Sequence, residues 1–118
     1  MKYALDSSAI INLIMKLEER SVDIFKESVT ADLAYYEIGN FLWKVKRADL
    51  LGDFSNIMKF LNVESVGLNE EVLVLSSKEG TTYYDAVYLF LSRKLGLQLI
   101  SDDKDLVIKG AKKSSEIQ

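Results

Sequence analysis

Short strand-like runs alternate with helical segments along this chain, and that alternation constrains the fold more than any other feature. "KYAL" at 2–5, "VTA" at 29–31, "VESVGL" at 63–68 and "LQLI" at 97–100 read as strands. Between them, "SSAIINLIMK" has helical periodicity and either Ser7 or Ser8 is a candidate cap. "SVDIFKES" at 21–28 reads as a second short helix, and a long one is expected over about Asp32 to Arg47. "DFSNIMKFLNV" places Phe54, Ile57, Met58 and Leu61 on one helical face. "NEEVLVLSSKEG" carries Asn69 as a cap and Gly80 as a stop, and "TTYYDAVYLFLSRKLG" is the clearest helix, ending at Gly96. Strands spaced by helices call for a parallel sheet covered by helices. With 118 residues the chain is expected to be a single domain, 1–118, with no internal repeat or linker. Its last stretch, from Asp103 on, reads as a short helix or strand followed by a polar, frayed tail.

Two absences narrow the chemistry. The chain has no His and no Cys. Ser-His-Asp and Cys-His nucleophilic sites, His general bases and the usual zinc sites are therefore excluded. Any metal must be held by oxygen atoms, which favours Mg²⁺ or Mn²⁺. The lack of Cys fits a reducing cytoplasm. No apolar run is long enough for a membrane span, and Asp6 interrupts what a signal peptide would need. Eighteen acidic and 15 basic residues leave a net charge of −3, which is no footprint of bulk electrostatic binding to nucleic acid. A metal cluster could still supply local positive charge to a nucleic acid substrate.

Several acids occupy suggestive places. Asp6 follows the first strand, and Asp102, Asp103 and Asp105 follow the last. In open α/β sheets, ligands gather beyond the carboxyl ends of the strands. The ordinary reading of Asp6 is a helix cap, and that of the later aspartates a solvated turn. Glu37 lies inside the long helix with no cation one turn away, at the edge of an apolar face, and with Asn40 three residues on. Asp85 follows Thr82 by three residues, which is capping-box spacing. An acid in a first helical turn also stays ionised readily. Four carboxylates from four segments suit the binding of one or two divalent cations and, through them, phosphodiester hydrolysis.

In their order, "YALDSSAI", "AYYEIGNFLWK", "TTYYDAVYLFLSRKLG" and "LQLISDDKDL" resemble the PIN-domain family, and within it the VapC-type toxins of prokaryotic toxin–antitoxin pairs. The resemblance runs from Tyr3 to about Leu106. It implies a three-layer α/β/α fold with a five-stranded parallel sheet. It implies Asp6, Glu37, Asp85 and Asp103 as metal ligands, supported by Ser8, Asn40 and Ser101. Asp102 stands where the family commonly has a small or variable residue, so either Asp102 or Asp103 is the direct ligand. The resemblance further implies a Mg²⁺- or Mn²⁺-dependent endoribonuclease acting on RNA, a homodimer, and a cognate antitoxin that silences it in the cytoplasm.

Tyr36 and Trp43 lie two turns apart, away from the apolar face of the 32–47 helix. They suggest a dimer or antitoxin interface, or else burial under a neighbouring helix. Lys44, Arg47, Arg93 and Lys104 are candidate phosphate contacts. Two other functions compete. A receiver-type phosphoacceptor domain would need its acidic pair after the first strand, where this chain has only Asp6. A PIN-like binding module without catalysis would have no need to keep all four acids.

Overall fold

The computed structural model describes every residue from Met1 to Gln118. Four strands form one parallel sheet: β1 (Tyr3–Leu5), β2 (Ser28–Ala31), β3 (Asn62–Glu64) and β4 (Gln98–Ile100). Their spatial order is β3-β2-β1-β4. The resemblance implies five strands; here the fifth place is held by a single parallel bridge between Ile100 and Lys112. Gly110, at φ +110°, lies just before that bridge, and a helical turn over Ser114–Ile117 begins just after it, so no run of extended residues can pair further.

The chain steps from β1 outward to β2 and β3, then returns to the other side of β1 to lay down β4. The strand order therefore reverses between β1 and β4, where crevices open in sheets of this kind. Alternate strand residues face opposite layers. Leu5 and Ile100 point to one core, built with α1 (Ser7–Leu17), Phe25 of α2 (Val22–Lys26), α3 (Leu33–Lys44) and α4 (Leu51–Met58). Ala4 and Leu99 point to the other, built with α5 (Glu70–Glu79), α6 (Tyr83–Leu95) and α7 (Lys104–Ile108). The three-layer α/β/α expectation holds. No helix is long and apolar enough to cross a membrane.

Local chemistry sets the helix ends. Asn69 and Thr82 cap α5 and α6 as expected, and Gly80 and Gly96 close them in left-handed conformations that cost glycine nothing. The cap of α1 is neither Ser7 nor Ser8 but Asp6, whose Oδ1 accepts from the Ala9 N–H at 2.9 Å. Helix α3 stops at Lys44, short of Arg47, because Lys46 turns the chain with φ +55°. Strand β3 ends at Glu64, short of Leu68. There the Asp32 carboxylate takes both the Ser65 hydroxyl and the Val66 N–H. The tail is seated rather than frayed: Ser114 is buried, and both its N–H and its hydroxyl bond to Asp102.

Candidate metal centre

The fold brings all four predicted acids to one edge of the sheet. Asp6 follows β1 directly, and Asp103 caps α7 after β4. Helix α6 leads into the parallel strand β4 and so runs against the strand direction, which puts its first turn, with Asp85, at the carboxyl ends of the strands. Glu37 comes from the second turn of α3, which leaves the same edge after β2.

Asp6 is 4% exposed, and its carboxylate is held from three sides. Oδ1 accepts from the Ser8 hydroxyl at 2.7 Å and from the Ala9 N–H; Oδ2 accepts from the Ser101 hydroxyl. Each serine then accepts from the segment that follows β4: Ser8 from the Asp102 N–H at 2.9 Å, and Ser101 from the Asp103 N–H at 3.0 Å. The two hydroxyls thus stitch the start of α1 to the residues after β4. Burial pushes the Asp6 carboxyl up to about 6, against the pull of its hydrogen bonds to Ser101, Ala9 and Ser8, and the nearby Glu37 adds to the rise.

Asp85 is half-buried. Its N–H donates to Thr82 Oγ1 at 3.1 Å, but the return bond of a full capping box is not made, so its carboxylate is free. Burial first, then repulsion from Asp103, Asp105 and Glu37, raise it to about 6. One carboxylate oxygen each from Asp85, Asp103 and Asp105 lies within 4.8 Å of the others. The ion pairs of the chain are Lys2–Glu27, Arg47–Asp49 and Arg93–Glu79, so none of these acids is neutralised by a cation. Arg47 and Arg93, candidates for phosphate contact, are engaged in those pairs.

Adjacent aspartates after β4 have opposite surroundings. Asp102 turns away from the acids and accepts from Asn12 Nδ2 at 2.7 Å, Ser114 Oγ at 2.6 Å and the Ser114 N–H at 2.9 Å. Burial works to raise it, but these hydrogen bonds outweigh burial and hold it below the usual carboxylate range. Asp103 stands beside Asp85 instead, its Oδ1 accepting only from the Asp105 N–H.

Four contributors lie outside the predicted set of ligands and supports. Asp105 joins the acids because α7 begins between it and Asp103; the "DKD" spacing was its only trace. Tyr88, buried one turn after Asp85 on α6, donates its phenol to Glu37 Oε1 at 2.6 Å. Burial first, then Glu37, keep that phenol protonated. A tyrosine on an otherwise aliphatic buried face was the available sign. Asn12 and Ser114 fix Asp102 from segments distant in sequence, and nothing local announces them. Of the expected supports, Asn40 is exposed on α3, one turn beyond Glu37. Tyr36 and Trp43 are 73% and 81% exposed, so no neighbouring helix covers them.

The donor set is all oxygen and mostly anionic, which fits a hard divalent cation such as Mg²⁺ or Mn²⁺ and no softer metal. Comparison with known proteins agrees with the architecture. No family model matches the sequence. The chain is 37% identical to Ribonuclease VapC3 of Pyrobaculum aerophilum, over 92% of this chain and 95% of that one. It is 29% identical to Exonuclease VapC9 of the same organism, over 92% of this chain and 86% of that one. The crystal structure of PAE2754 from Pyrobaculum aerophilum superposes with a TM-score of 0.89 at 26% identity, covering 99% of this chain and 93% of that one. With the fold, the order of its acids and a full-length relative in agreement, the chain belongs to the VapC-type PIN-domain family.

Proposed function

We propose that this protein is a metal-dependent endoribonuclease, the toxin of a toxin–antitoxin pair, acting in the cytoplasm on RNA phosphodiesters. The observation that carries the reading is the unneutralised trio Asp85, Asp103 and Asp105 at the strand-order reversal, with Glu37 and Asp6 beside it. Ribonuclease VapC3 and Exonuclease VapC9 are both named as nucleases, which supports the same class of reaction.

Asp85 and Asp103 would hold Mg²⁺ or Mn²⁺, with Asp6, Glu37 and Asp105 completing the anionic wall. When bound, such a cation neutralises charge on phosphoryl oxygens and lowers the pKa of a water, so that hydroxide is available near neutral pH. The residues of the chain prepare that step. Ser8 and Ser101 fix the Asp6 carboxylate, and Tyr88 ties down one oxygen of Glu37. Crowding and burial leave Asp6 and Asp85 reluctant to ionise alone, so loading with a cation releases protons.

Purified protein freed of antitoxin should cut RNA with Mg²⁺ or Mn²⁺, and neither EDTA-treated protein nor Asp6→Asn should do so. Absence of cleavage with both metals would overturn the reading. Partners follow from it: a cognate antitoxin, and a second copy of the chain. The exposed Trp43 on the outer side of α3 is our candidate for one of these contacts.

A further inference from the structure

A cleft of about 930 Å³ opens beside the acids. Glu37 forms part of its wall and links it to the metal centre; Tyr84, the residue before Asp85, forms another part. Tyr36 from α3 and Leu68 from the turn before α5 complete an apolar, aromatic lining. The rings of Tyr36 and Tyr84 are 73% and 59% exposed, and Leu68 is wholly so. Tyr83, by contrast, is tied down: its hydroxyl accepts from the Asn69 N–H at 2.9 Å and donates to the Gly67 carbonyl at 3.0 Å, which fixes the wall.

Charge decides what such a cleft can take. Its only ionisable acids and bases of the charged kind are Asp32 and Glu37, and no Lys or Arg lines it. A phosphate would therefore meet repulsion without compensation, whereas an uncharged aromatic ring would not. Single-stranded nucleic acid is bound by stacking unpaired bases on aromatic side chains, in a way that tolerates many sequences. The exposed amide of Asn40, also in the lining, offers a donor and an acceptor to a base edge.

We propose that this cleft receives an unpaired nucleobase of the RNA strand next to the phosphate that is cut, stacked against Tyr36 and Tyr84. The inference rests on the ribonuclease reading and deepens it: the cleft is a subsite for a base of the strand that is cut. Tyr36 and Tyr84 bind; they take no part in the chemistry.

The test uses a short single-stranded RNA that the wild-type protein cuts, together with copies carrying one abasic position at a time. Tyr36→Ala and Tyr84→Ala should each raise KM roughly 10-fold, as expected for loss of one stacking surface, with kcat close to wild type. Tyr36→Phe and Tyr84→Phe should keep the wild-type KM, because stacking needs the ring and not the hydroxyl. One abasic position beside the cut should raise KM for wild type, raise it less for Tyr84→Ala, and have no further effect on the Tyr36→Ala/Tyr84→Ala double variant. Both tyrosines are exposed, so the variants should keep the wild-type Tm. Unchanged KM in both alanine variants, or an abasic series without a sensitive position, overturns the proposal while cleavage by wild type and its loss in Asp6→Asn leave the ribonuclease reading standing. Wild type that cuts no RNA overturns both. Alanine variants that lose only antitoxin binding assign the cleft to a protein and overturn it as well.

Discussion

Asp102 and Asp103 are neighbours in sequence with opposite surroundings. Asp102 accepts three hydrogen bonds, from α1 and from the tail, and is lowered below the usual carboxylate range. Asp103 accepts one, from its own helix, and stands with Asp85 and Asp105 within 4.8 Å. A carboxylate whose oxygens are filled by the protein is part of the scaffold. One left underused among other acids has coordination to offer. The difference teaches that, in a run such as "SDD", the partners each side chain meets set its surroundings: Asp102 meets α1 and the tail, whereas Asp103 caps α7 beside Asp85.

The sharpest way to break this contrast is to remove each charge in turn. Asp103→Asn or Asp85→Asn should weaken Mn²⁺ binding, read by calorimetry, by about 100-fold or more, beyond the roughly 10- to 100-fold typical of residues behind the ligands. Asp102→Asn should leave Mn²⁺ affinity near wild type; if it abolishes binding instead, the two roles are reversed. The scaffold side shows itself in stability. Asp102→Ala strands three donors and should cost roughly 2 to 3 kcal/mol, about 10 °C in Tm without metal. Tyr88→Phe removes a hydroxyl that reaches the acids through Glu37 and leaves the packed ring in place. It should weaken Mn²⁺ by about 10-fold with a smaller loss of Tm, and an unchanged affinity would reduce Tyr88 to a packing role.

The smallest effect is in pH. Asp6 and Asp85, raised to about 6, bind protons more tightly folded than unfolded. Their contribution to stability is present below about pH 4 and is lost as pH rises through about 6. Asp102, lowered, acts in the opposite sense, and only as pH falls below about 4. Between pH 5 and 7.5 in EDTA, the denaturation midpoint should therefore fall for wild type and fall less for Asp85→Asn. The difference should be about 0.5 kcal/mol, since Asp85 is partly solvated and screened. Added Mn²⁺ should reverse the trend, because ionised carboxylates bind it and ligand bound to the native state stabilises it.

Most of the architecture was legible in the sequence, because periodicity and caps are local. Asn69, Thr82, Gly80 and Gly96 mark their helix ends within a few residues. Where the reading missed, a distant contact had intervened. Asp32 cut β3 short by taking the Val66 N–H, and Asp102 held in place a tail whose composition reads as loose. The fifth strand shrank to one bridge for a comparable reason, its flanks being committed to Gly110 and a helical turn.

By itself the sequence determined the alternation of strand and helix, the all-oxygen chemistry and the four acids, three of them at element ends. These depend on residue type and on spacing of two to four residues, which the backbone's own periods translate directly. Only the tertiary structure decided which aspartate after β4 is free, that Asp105 joins the trio, that Tyr88 holds Glu37, and that an aromatic cleft without cations lies alongside. Each of those depends on side chains meeting across dozens of residues, from Asn12 to Asp102 or from Glu37 to Tyr88, and no local pattern encodes such a meeting.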